Sequence, residues 1–91
     1  MSDKITAIAD LLVLAGKAHH QAYIETDGDD PEWPIWYASY LQKPLNSTLN
    51  TDLTKSQIVF ELVRLNQLYG SSSNWAKEYA DDLSSKYLRE D

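Results

Sequence analysis

The chain has 91 residues, 43% of them apolar and 24% charged, enough apolar material for one small core and too little length for a second domain. Acids outnumber bases fourteen to eight, for a formal charge of −6, and the lysines and arginines are scattered singly along the chain. Neither nucleic acid nor an anionic membrane is therefore expected as a partner. No apolar run approaches the about 18 residues that cross a bilayer, and the chain contains no cysteine for disulfides, thiolate chemistry or zinc–cysteine sites. Asp3 and Asp10 interrupt the N-terminal apolar stretch, which is followed by no small-residue cleavage site, so it reads as mature helix in a cytoplasmic protein.

The first helix is expected from Asp3 to Tyr23. Ile5, Ile8, Leu12, Ala15, His19, Ala22 and Tyr23 advance by threes and fours, with Ser2 or Asp3 as cap. Thr26-Asp27-Gly28-Asp29-Asp30 ends it with turn-forming residues. Asp30-Pro31-Glu32 reads as cap, helix-compatible proline and acid at the positive end of the dipole, which places the start of the second helix there. Trp33, Trp36, Tyr37, Tyr40 and Leu41 share a stripe roughly 140° wide on this helix. Pro44 should weaken it, and the polar segment Leu45 to Asp52 should fray or continue irregularly.

Thr54 and Gln57 form a T-x-x-Q capping box ahead of a third helix, whose apolar residues from Ile58 to Tyr69 nearly encircle the axis. Such a helix is either sandwiched by the others or shares a face with a second copy. Gly70 and the serines after it stop this helix. Ser73 or Asn74 caps a fourth helix, with Trp75, Ala76, Tyr79, Ala80, Leu83 and Tyr87 on one face and a charged end that frays after Tyr87 or Leu88. The expected fold is one all-α domain over residues 1–91, a four-helix antiparallel bundle or an orthogonal helical array.

One segment, His19 to Leu41, concentrates the side chains that could carry chemistry: His19, His20, Glu25, Asp27 and Asp30, then Trp33, Trp36, Tyr37 and Tyr40. Its pattern, a histidine pair followed by T-D-G-x-D-P-E-W-P-x-W-Y-A-x-Y-L, resembles a small bacterial all-helical family, a likeness that covers about a quarter of the chain and implies no particular activity.

The nitrogen and oxygen donors suit a divalent ion. Adjacent helical histidines, however, point about 100° apart, and Asp27-Gly28-Asp29-Asp30 lacks the ligand spacing of a calcium loop. Capping and turn formation account for the acids without a metal, so no metal or cofactor is assigned. His19 lies mid-stripe and should be buried against a carboxylate or a tyrosine hydroxyl, whereas His20 lies toward the edge. No nucleophile motif accompanies them, and no catalytic residue is assigned.

The aromatic residues of the second helix are either core or a pocket or interface with polar tips, and the neighbouring acids could draw a cation over the rings. Trp75, Tyr79 and Tyr87 either extend that wall or pack separately, with packing favoured. The expected function is noncatalytic interaction, as a homodimer or with another protein. The alternative is a ligand- or metal-binding module, or a small enzyme, at the turn between the first two helices.

Overall fold

A computed structural model describes residues 2–89, with side chains from residue 4 onward. The helices are α1 (Ser2–Ala22), α2 (Trp33–Leu49), α3 (Lys55–Tyr69) and α4 (Trp75–Tyr87), with a 3-10 turn at Ile24–Thr26 and no strand among the described residues. The expected Ser2 or Asp3 cap of α1 lies outside the described side chains.

α1 packs on α2 and α4, and α3 packs chiefly on α2 with a thinner seam against α4, which closes an all-α four-helix bundle. The C-terminal end of α1 meets the N-terminal end of α2 through His19 and Trp36. The last residues past α4 return to the end of α2, where Arg89 N–H donates to the Leu49 carbonyl (3.0 Å). Arg89 is therefore held, where fraying after Tyr87 or Leu88 was expected. The core gathers Ile8, Leu12 and Ala15 from α1, Ala38, Leu41, Leu45 and Leu49 from α2, Ile58, Leu62 and Leu65 from α3, and Tyr79, Ala80 and Leu83 from α4. These repeats of three and four residues explain why each segment is helical: burying a single face of each offsets the entropy of ordering it.

The second helix departs from the sequence expectation at both ends. It begins at Trp33, two residues after Pro31, with Pro34 in its first turn. Asp30 still acts as a cap, since its Oδ1 accepts the Glu32 N–H (3.0 Å) and its carbonyl the Trp33 N–H (3.1 Å), but it closes a turn that precedes the helix. At the other end the helix runs through Pro44 to Leu49. Leu45 and Leu49 are fully buried, and that burial outweighs the hydrogen bond Pro44 cannot donate.

Asn46 then orders the segment expected to be irregular. Its Nδ2 donates to the Leu53 carbonyl (2.9 Å), and its Oδ1 accepts from the Leu53 N–H (2.8 Å) and the Thr51 hydroxyl (2.8 Å). The Thr54–Gln57 capping box forms with both hydrogen bonds, 2.8 and 3.1 Å.

α3 is not sandwiched. Phe60 and Leu68 remain 62% and 59% exposed, and Val63 faces outward beside Phe60. On its inner face Glu61 is only 1% exposed. Arg64 donates to one of its oxygens (2.7 Å), while Lys86 (2.6 Å) and the Tyr87 hydroxyl donate to the other. Arg64 also pairs with Asp82 (2.5 Å), so the network spans the thin α3–α4 seam. Burial pushes the Glu61 carboxyl up, but the hydrogen bonds from Lys86, Tyr87 and Arg64 outweigh it and hold the group below the ordinary glutamate value.

Candidate functional site

His19 is reached from the buried stripe of α1 and is 6% exposed. Its Nε2 stands 3.0 Å from Asp30 Oδ2. Its ring sits among those of Tyr23, Trp36 and Tyr37, with centroids 4.9, 5.1 and 5.0 Å away. The hydrogen bond from His19 holds the Asp30 carboxyl below its ordinary value; burial opposes this, and the Glu32 N–H adds to it. The expected carboxylate partner of His19 therefore exists, but it comes from the turn before α2 and not from the helix.

That turn is shaped by backbone geometry. Asp27 and Gly28 take positive φ, 56° and 86°. A Cβ at Gly28 would stand 2.8 Å from His20 Nδ1, so glycine serves both the conformation and the close approach. The Thr26 hydroxyl lies 2.8 Å from the Asp29 carbonyl. The outcome separates the two histidines: His19 faces inward, while His20 is exposed, its Nε2 3.9 Å from the solvated Asp27 carboxylate.

A cleft of about 360 Å³ opens beside the His19–Asp30 pair. Trp33 and Tyr37 of α2 form one wall, their rings edge to face at 5.7 Å. Trp75 and Tyr79 of α4 form another such pair at 5.2 Å. Leu12, Leu62 and Asn66 complete the interior, with Gly28 and Asp29 at one edge and Gly70 at another. Burial raises the Tyr37 hydroxyl, and burial followed by the proximity of Tyr37 raises that of Tyr79. Both stay protonated at neutral pH and able to donate hydrogen bonds.

The proposed constellation is thus divided. His19, Asp30, Trp33 and Tyr37 line the cleft. Trp36 and Tyr40 stack at 5.5 Å over a separate shallow depression with Tyr23, Glu32 and Ile35. They lie roughly opposite Ala38, Leu41, Leu45 and Leu49, so this part of the aromatic stripe faces away from the core, while Trp33 and Tyr37 pack against it. Glu25 is exposed in the 3-10 turn and joins neither group. Among the described residues no three histidine, aspartate or glutamate side chains come together as a possible metal set.

Trp75 and Tyr79 line the same cleft as Trp33 and Tyr37, where separate packing was expected, whereas Tyr87 packs apart with its hydroxyl on Glu61. The four-residue spacing of Trp75 and Tyr79 marked a helical face but not which neighbour it would meet. Leu12, Leu62 and Asn66 carry no signal of their own in the sequence, because all four helices must pack before these residues share a surface.

No helix among the described residues is long and apolar enough to cross a membrane. Comparisons with protein-family models, with curated proteins and with solved structures returned no match, so they add nothing to the resemblance borne by residues 19–41 and leave function to be argued from the cleft.

Proposed function

We propose that this protein is a noncatalytic binding module whose cleft between α1, α2, α3 and α4 takes a small organic ligand. The observation that carries this reading is the pairing of two edge-to-face aromatic walls, Trp33–Tyr37 and Trp75–Tyr79, across an open cavity that ends on the fixed His19–Asp30 pair. Mostly apolar walls with a few oriented polar groups are the usual composition of small-molecule sites. Among the described residues the lining holds no serine, threonine or lysine beside His19, and the Asp30 carboxylate is taken up by that histidine, an arrangement that supports a binding role.

A protein-observed NMR screen of small soluble fragments tests it. Hits should move the indole N–H resonances of Trp33 and Trp75 more than that of Trp36, which lies outside the cleft. Hits scattered over the surface, or none at millimolar fragment concentration, overturn the proposal.

A second reading, self-association as a homodimer or docking of another protein, is favoured by the outer face of α3, where Phe60, Val63 and Leu68 stand exposed. Exposed apolar groups gathered on one face are a common mark of an interface. Light scattering at tens of micromolar should then give twice the chain mass for the native protein and the chain mass for Phe60→Ser. A monomeric native protein refutes self-association and leaves the cleft proposal standing.

A further inference from the structure

The chemistry of the cleft also narrows the class of ligand, on the premise that the cleft is a binding site. Its fixed charges are of one sign. Asp29 and Asp30 are the carboxylates of the lining, and no lysine or arginine takes part in it. Asp30 is committed to His19 and to the Glu32 N–H, whereas Asp29 makes no ion pair among the described residues and stands exposed at the rim. The indole and phenol rings of Trp33, Tyr37, Trp75 and Tyr79 make up much of the remaining lining, and the face of such a ring carries the negative end of a quadrupole. A net charge of −6 over the chain adds a field that concentrates cations near any concave surface. An anionic ligand would meet carboxylates with no lysine or arginine among the described residues of the lining, and the one imidazole, His19, is already paired with Asp30. A neutral apolar ligand would leave Asp29 unused.

We infer that the ligand is a small alkylammonium compound, its cationic head held among Trp33, Tyr37, Trp75 and Tyr79 with Asp29 as the external counter-charge. Rings converging from two helices on one cavity are the geometry in which an ammonium group gains from several π-faces at once. A cleft of about 360 Å³ sits at the small end of ligand pockets and suits a molecule of a few carbon atoms. The same head group could arrive as a free solute or on a lipid, and a cleft of about 360 Å³ lined from all four helices favours the free solute.

Choline and its neutral carbon isostere 3,3-dimethylbutan-1-ol separate charge from shape. Titrated into the full chain and followed by the indole N–H signals of Trp33 and Trp75, choline should bind about tenfold more tightly than the isostere, the ratio that a desolvated cation–π contact supports. Asp29→Asn, a substitution at an exposed position, should weaken choline about two- to threefold and leave the isostere unchanged. Equal affinity of the two compounds overturns the ammonium assignment while leaving the cleft a binding site. Binding of neither, in a protein whose fragment hits still map to the cleft, also overturns the assignment alone. Phosphatidylcholine vesicles should not bind, and their binding would overturn the assignment to a free solute.

Discussion

Glu61→Gln tests the account of the α3–α4 seam. The carboxylate accepts on both oxygens, from Arg64 on one and from Lys86 and Tyr87 on the other, in a position with 1% exposure. Glutamine has the same shape but one acceptor and one donor group, so one side of the network must face an N–H where it needs an oxygen. Removing an acceptor from a buried charged donor costs about 1.5–3 kcal/mol. Lys86 is half-exposed and recovers part of its hydration, which brings the expected loss to about 2 kcal/mol at neutral pH. For a domain of this size that lowers Tm by about 8–16 °C.

The dependence on pH supplies an independent check. The folded Glu61 carboxyl lies below its ordinary value, so its contribution is complete above the unfolded value of about 4.3 and disappears as pH falls through the folded value. A protonated glutamate carries one acceptor and one donor, as glutamine does. The gap between native and variant proteins should therefore narrow as pH falls below about 4.3. Urea unfolding followed by tryptophan fluorescence at pH 7 and in acid measures the gap. A difference under about 0.5 kcal/mol at pH 7, or one that persists unchanged in acid, refutes the reasoning.

Four other substitutions probe separate features. Gly28→Ala should destabilise by about 1 kcal/mol or more, since alanine at a φ of 86° is strained and its Cβ would meet the His20 ring, and a melting curve within error of native would contradict the geometry of that turn. Asn46→Ala should cost about 2 kcal/mol by freeing the Leu53 backbone groups and the Thr51 hydroxyl, measured as a shift of the urea midpoint with m unchanged. Pro44→Ala restores a helical N–H within α2 and should raise Tm, whereas a lowered Tm would show that the proline ring contributes more by packing than it loses. Ser84→Ala should be neutral or stabilising by up to about 1 kcal/mol, because the Ser84 hydroxyl is buried without a hydrogen-bond partner among the described residues. A clear loss of stability there would point to a partner for that hydroxyl.

Much of the helical framework was legible in the residues themselves. Helix formation depends on spacing within a few turns, and the stripes Ile8–Leu12–Ala15–His19 and Ile58–Leu62–Leu65 are buried as their periods require. The Thr54–Gln57 box and the turn at Gly28 are also local, and both form where the chemistry of those residues places them. The burial of Glu61 had a signal as well. It lies three residues after Ile58 and four before Leu65, on the inward stripe, yet a charge at such a position is tolerated only when partners arrive from elsewhere, here Lys86 and Tyr87 of the following helix.

What tertiary packing decided was which helix faces meet. The second helix passes Pro44 because Leu45 and Leu49 find the core, and its aromatic stripe divides because α1 and α4 approach different sides of it. Trp33 and Tyr37 became one wall of a cleft only when Trp75 and Tyr79, some forty residues later in the chain, closed the other. Sequence period specifies the face a side chain occupies on its own helix, but a cavity is a property of the space between helices, and that space is fixed by packing the whole core.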